Sequence, residues 1–217
     1  MTPRLIVFDL DGTLVDSRRD IADAANETLV AYGAAPLAEE VIGRMVGDGA
    51  PVLIARAFAA AGVQKPQDAL DRFLTFYDRR LLEHTRPYPG IPRVLDQLVP
   101  RAALAVLTNK PMAATRRILE GLNLARYFLT DRVIGGDGPF PRKPDPAGLR
   151  HLMGSLGVQP DATVLVGDSL NDWMTGRSAA VPVYLARYGF GWEGFPVHQL
   201  DDEACVIDSP EQLLDCL

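Results

Sequence analysis

The stretch Leu5-Ile6-Val7-Phe8-Asp9-Leu10-Asp11-Gly12-Thr13 decides how this chain folds. Four apolar residues, two of them β-branched, read as a short buried strand, since the run is too short for a helix. The strand ends in two carboxylates two residues apart, and Gly12-Thr13 then turns the backbone. Side chains two apart along an extended chain point the same way, ~6–7 Å from each other. That spacing leaves room for one phosphoryl-sized group between a nucleophile and a proton donor. Two like charges so close cannot ionise independently, so one pKa is expected to rise and split the pair into base and acid. A plain Asp-Gly turn is the alternative. An EF-hand loop does not fit, because its glycine belongs at the sixth position and here it is the fourth.

Beyond Val15 the pattern becomes helical. Ser17 followed by Asp20 has the form of a capping box, and Ile21, Ala24, Ala25, Thr28, Leu29 and Tyr32 make a 3.6-residue stripe that stops at Gly33. Further helices are expected over 39–46 and 50–61, separated by Gly47-Asp48-Gly49. A fourth carries Leu70, Phe73, Leu74, Tyr77 and Leu81. Four helices with no strand between them predict a small bundle, residues 16–84, inserted after the first strand. Residues 1–15 and 85–217 would then form the core domain. Tyr88-Pro89-Gly90-Ile91-Pro92 reads as a stiff return linker.

After the linker, strands are expected at 102–107, 132–135, 163–166, 182–185 and 205–207. They alternate with helices at 111–122, 146–156 and 171–179. Such alternation predicts an α/β fold, a Rossmann-like parallel sheet with helices on both faces. In sheets of this kind the active site lies outside the carboxyl ends of the strands.

The chain of 217 residues is 47% hydrophobic and 23% charged, an ordinary globular composition. Its net charge of −6 argues against a nucleic-acid or anionic-membrane partner. No apolar run approaches the ~20 residues of a membrane span and no signal-like segment opens the chain, so a cytoplasmic location is expected. Cys205 and Cys216 are expected to be free thiols. Nineteen arginines stand against three lysines, Lys65, Lys110 and Lys143, which hints that a compact ammonium matters where lysine is kept.

If the sheet is parallel, the residues past each strand converge. The first strand delivers Asp9 and Asp11. The next delivers Thr108-Asn109-Lys110-Pro111, where backbone N–H groups and the Thr108 hydroxyl offer a phosphate cradle, or Thr108 caps the following helix. Three prolines stiffen Phe140-Pro141-Arg142-Lys143-Pro144-Asp145-Pro146, so Lys143 is expected to project from a rigid platform towards phosphate and carboxylates. Asp145 looks like a helix N-cap. Gly167-Asp168-Ser169-Leu170-Asn171-Asp172 puts Asp168 at a strand tip and Asp172 one turn on. Both suit an Mg²⁺ ion, or alternatively helix capping.

Together Asp9-Leu10-Asp11-Gly12-Thr13, Thr108, Lys143 and Gly167-Asp168-xxx-Asp172 resemble the four ordered motifs of the haloacid dehalogenase-like hydrolase superfamily, over nearly the whole chain. The resemblance implies that Asp9 is a nucleophile forming an aspartyl-phosphate. It makes Asp11 the general acid and base and a metal ligand through its carbonyl, with Asp9 also facing the metal. Thr108, Asn109 and Lys143 would hold the phosphoryl group, and Asp168 and Asp172 would bind Mg²⁺. Dehalogenase relatives lack the second carboxylate, so Asp11 favours phosphoryl transfer.

Gly47-Asp48-Gly49-Ala50, Arg56-Ala57, Leu107-Thr108-Asn109-Lys110-Pro111 and Tyr188-Gly189 are similar to the phosphoglycolate phosphatase group. That similarity implies a small phosphorylated metabolite as partner, 2-phosphoglycolate first, with the helical insertion as a cap and a monomer or homodimer as the assembly. Gly47 and Gly49 would bring the cap loop close to the substrate. Arg56 would meet a carboxylate bidentately, or else lie on the helix surface. Lys65, in an apparent loop, fits poorly as a Schiff-base lysine.

Rival readings are a mutase of the same superfamily, a receiver-type signalling domain and a non-catalytic phosphate-binding module. Gly189-Phe190-Gly191-Trp192-Glu193-Gly194 matches a dinucleotide pattern, but no helical periodicity follows and it reads as a loop. The three histidines lack metal-ligand spacing. Two departures from the family pattern stand out: Gly176, expected to weaken its helix, and the bulky Phe190, Trp192 and Phe195, expected at an interface or cap contact.

Overall fold

The computed structural model describes residues 3–200 and 204–217. Strand β1 (Leu5–Phe8) is followed by the two-residue β2 (Val15–Asp16) and four helices: α1 (Arg18–Ala31), α2 (Glu39–Gly43), α3 (Ala50–Ala60) and α4 (Ala69–Arg80). The chain returns through β3 (Arg86–Pro87) and continues α5 (Ile91–Leu98), β4 (Ala103–Leu107), α6 (Met112–Gly121), β5 (Val133–Ile134) and α7 (Ala147–Leu156). It finishes with β6 (Thr163–Gly167), α8 (Leu170–Ala179), β7 (Val183–Ala186), β8 (Cys205–Ile207) and α9 (Gln212–Cys216).

Six strands form one sheet in the order β5-β4-β1-β6-β7-β8, with every neighbouring pair parallel. β1 sits in the middle, flanked by β4 and β6, so its carboxylates emerge between the loops that follow those two strands. The strand is short and wholly apolar because both faces are covered. Ile6 and Phe8 join the apolar cluster on one face, and Leu5 and Val7 the cluster on the other.

The helical segment leaves and rejoins the core side by side, since β2 pairs antiparallel with β3, Val15 opposite Pro87 and Asp16 opposite Arg86. Its helices pack on one another, α1 against α2, α3 and α4. Their apolar faces merge with the sheet cluster through Leu10, Leu14, Val15 and Ile21, so a single apolar mass runs from the helices into the sheet.

Several local expectations change. The return linker is shorter than read: Ile91 starts α5, whose Ile91, Val94, Leu95 and Leu98 are all buried. That spacing is a helical stripe visible in the sequence. Ser17 and Asp20 form no capping box. The Ser17 hydroxyl donates to Asp11. Asp20 is buried and accepts from the backbone N–H groups of His84 and Thr85 and from the Thr85 hydroxyl, pinning the end of the helical segment. The α2 helix stops at Gly43. Gly176 permits close approach, because a Cβ there would lie 2.1 Å from a Val183 methyl; the missing side chain is what lets α8 lie on β7. Trp192 stacks on Phe195 in the cluster beneath the sheet, while Phe190 lines the cleft described next. Both cysteines are free.

Candidate active site

The loops after β1, β4 and β6 and the Lys143 loop converge at the carboxyl edge of the sheet. Each functional side chain is held by its own local device. Asp9 leaves β1 and its Oδ1 accepts the Leu10 N–H at 2.7 Å. Lys143, 4% exposed, reaches Asp9 Oδ1 at 2.9 Å and Asp172 Oδ1 at 2.6 Å. Its backbone is clamped by Asn109, which accepts the Lys143 N–H at 2.8 Å and donates to the Lys143 carbonyl at 2.9 Å. The proline-rich loop therefore needs Asn109 to become a rigid platform. The Asp145 carboxylate accepts the Ala147 N–H at the start of α7.

Asp172 is fully buried and does two jobs. Its Oδ2 accepts from the Ser169 N–H and hydroxyl, closing a true capping box on α8, while Oδ1 faces Lys143. Asp168 is capped from an unforeseen direction. The Gly191 N–H donates to its Oδ2 at 2.7 Å, so the stretch that mimics a dinucleotide motif is a short 3₁₀ segment supporting a carboxylate. Gly12 sits at φ +82°, and a Cβ there would lie 1.8 Å from the same Asp168 oxygen. Only glycine fits both the turn and the contact.

Oxygens of Asp9, Asp168 and Asp172 lie within 4.8 Å of one another. Burial is the main cause that lifts the Asp9 carboxyl to about 6, with Lys143 opposing and Asp172 adding to the rise. Burial also drives Asp168 well above the usual carboxylate range, reinforced by Asp172 and Asp9. Asp11 contributes least among the causes acting on Asp9. The rise expected from the paired aspartates is thus carried mainly by desolvation and the α8 carboxylate. Three buried carboxyl groups beside one lysine form an oxygen donor set that suits a hard divalent cation.

Asp11 is turned towards other partners. Both of its oxygens lie 3.0 Å from Lys110 Nζ, and Oδ1 accepts the Ser17 hydroxyl at 2.5 Å. Lys110 in turn lies under the ring of Tyr77 from α4, 4.6 Å from its centroid. Burial disfavours the Lys110 ammonium, but Asp11 and Tyr77 together outweigh it and raise its pKa above the ordinary lysine value. Lysine scarcity was the sequence's only hint of this pair, and nothing connected Lys110 to Asp11.

A cavity of about 540 Å³ joins the site to the helical layer, lined by Asp9, Asp11, Thr108, Asn109, Lys110 and Asp168 and by residues of α1, α3 and α4. Thr108 is buried and its hydroxyl accepts the Lys110 N–H at 3.2 Å. Gly47 and Gly49 line the cavity with positive φ, and the Gly47 carbonyl accepts from Asn109 and Asn171, tying the loop to the core. Arg56 is not brought in: its Nη1 pairs with Asp48 at 2.6 Å and donates to the Met45 carbonyl, and it does not line the cavity. Among the described residues no helix is long and apolar enough to cross a membrane.

The model of the haloacid dehalogenase-like hydrolases matches residues 6–186, and the chain belongs to this family. It is a phosphoric monoester hydrolase of that family. The chain is 46% identical to a phosphoglycolate phosphatase of Rhodospirillum rubrum, over 95% of this chain and 88% of the relative. It is 38% identical to one of Agrobacterium fabrum, over 94% and 88%. The crystal structure of a predicted phosphoglycolate phosphatase from Haemophilus somnus superposes with a TM-score of 0.91 at 30% identity, covering 100% of this chain and 98% of the other.

Proposed function

We propose that the chain hydrolyses a small phosphate monoester, 2-phosphoglycolate first, with Mg²⁺ and through an aspartyl-phosphate on Asp9. The observation that carries this reading is the buried Asp9–Asp168–Asp172 cluster with Lys143 paired to Asp9 and Asp172. Asp9, Asp168 and Asp172 would hold Mg²⁺, with the Asp11 carbonyl alongside; the ion supplies charge neutralisation for a carboxylate approaching a phosphate dianion. An Asp9 oxygen attacks phosphorus while the bond to the leaving oxygen breaks, and Asp11 delivers the proton that oxygen needs. Asp11 then takes a proton from the water that attacks the acyl phosphate, returning Asp9 to a free carboxylate. Thr108, Asn109 and Lys143 would hold the phosphoryl oxygens.

Residues 16–84 would act as a cap over this chemistry, on a core of residues 1–15 and 85–217. The tie between Gly47 and Asn109 supports that assignment. The names of the relatives support 2-phosphoglycolate. The reading extends to a cytoplasmic enzyme, monomeric or homodimeric.

A panel of phosphorylated metabolites assayed with Mg²⁺ tests it: multiple turnovers with a clear preference for 2-phosphoglycolate are expected. A flat profile removes the substrate assignment. A single stable phosphorylation event removes the hydrolase mechanism in favour of a receiver.

A further inference from the structure

A substrate that carries a carboxylate beside its phosphate needs a cationic partner for it, and Arg56 is committed to Asp48 away from the cavity. Two other cations line the cavity. Arg79 is 62% exposed and pairs with Glu27 and the Phe76 ring. Lys110 is buried. Its ammonium has three N–H donors. Asp11 faces it with one carboxylate group, and the ring face of Tyr77 covers another side.

Tyr77 is only 5% exposed, lines the same cavity, and its hydroxyl has no hydrogen-bond partner. The Lys110 ammonium lies over the ring and beside the hydroxyl oxygen, but as a donor-only group it leaves the phenol proton without an acceptor. A buried phenol without a partner is costly and calls for one. Burial raises its pKa to about 12, so at neutral pH it remains a donor.

We propose that the Lys110 ammonium and the Tyr77 hydroxyl form the subsite that reads the substrate's carboxylate, next to the leaving-group oxygen. The inference rests on the phosphatase reading above, in which Asp11 protonates that oxygen. In a phosphorylated 2-hydroxy acid the carboxylate carbon is bonded to the same carbon as the leaving oxygen. When that oxygen faces Asp11, the carboxylate falls beside the residue 3.0 Å from Asp11, which is Lys110. Since Tyr77 comes from α4 and Lys110 from the core, the carboxylate would bridge the helical layer and the sheet.

The test compares 2-phosphoglycolate with ethyl phosphate, which has a methyl group in place of the carboxylate. In Tyr77→Phe the ratio of kcat/KM for 2-phosphoglycolate over ethyl phosphate is expected to fall about tenfold, the scale of one hydrogen bond to a charged group. Lys110→Met should lower the ratio further. The phenylalanine variant removes one unpartnered oxygen and should fold normally. Calorimetry in the Asp9→Asn background supplies a readout free of turnover: Tyr77→Phe should weaken 2-phosphoglycolate about tenfold and leave ethyl phosphate within about twofold.

If the wild-type enzyme prefers 2-phosphoglycolate and neither substitution moves the ratio, the subsite is wrong and the substrate assignment stands. Equal losses on both substrates also overturn it, by reducing Lys110 to a support for Asp11. Absence of any preference in the wild type removes the substrate assignment, and the subsite falls with it.

Discussion

Two buried lysines flank the tip of β1, and they hold their aspartates on different terms. Lys143 pairs with Asp9 and Asp172, and Asp168 lies beside them, so three buried acids share one lysine. Lys110 faces one acid, Asp11, with a hydroxyl from Ser17 and an aromatic ring beside it. The first half gathers three acids around one lysine; the second pairs one acid with one lysine. Sequence spacing treats Asp9 and Asp11 as equivalent, yet their surroundings differ: burial lifts the Asp9 carboxyl to about 6, while Asp11 is paired with Lys110 and the Ser17 hydroxyl.

The largest effect that would sharpen this contrast is on turnover. Asp9→Asn should reduce kcat by on the order of 10⁴-fold or more while circular dichroism shows an unchanged fold. Retained activity would put the nucleophile elsewhere. Asp11→Asn should lower kcat by about 10²–10⁴-fold, the range of general acid–base catalysis. It should also keep the thermal shift caused by Mg²⁺, because the cation belongs to the other half. A lost shift would break the division.

Lys143→Met leaves the three carboxylates without an ammonium, and urea unfolding in metal-free buffer should show a loss of roughly 3–5 kcal/mol, the scale for breaking a buried pair. Mg²⁺ should recover part of it.

The smallest effect is a pH dependence of metal-free stability. Asp9 has a folded pKa of about 6 against 3.8 for a free aspartate carboxyl, so the folded protein holds that proton more tightly than the unfolded chain does. Its contribution is complete below pH 3.8 and is lost as pH rises through about 6. Asp168 shifts in the same direction. Mg²⁺ at about 100 times its Kd should raise Tm by about 5–10 °C at pH 7.5, and by less at pH 5, in calorimetric scans.

What could be read in advance follows from range. The central strand and the alternation after residue 100 are local patterns, and so are Asp9, Thr108 and Asp168 at or just past strand ends and Lys143 in its proline-rich loop. The partners of those residues are not local. Lys110 follows Thr108-Asn109 as if it merely opened a helix, and its attachment to Asp11 spans 99 residues. Gly191 lies in a stretch that imitates another motif, and its N–H supports Asp168 only after the chain has folded. Ser17 and Asp20 had the spacing of a cap, but tertiary partners took both side chains. Strands β2 and β3 are two residues each, too short to leave a periodic trace.

That two-residue ladder has an architectural consequence. Val15 and Pro87 are opposite one another, and paired strands lie about 5 Å apart. The 71 residues between them leave and re-enter the sheet at nearly one point. A hairpin turn would bridge the gap, so the excursion is a cassette whose exchange must replace the Ser17 hydroxyl on Asp11 and the Gly47 carbonyl on Asn109. What a replacement module must also reproduce is an oily underside that seals Leu10 and Leu14, since those residues would otherwise meet water.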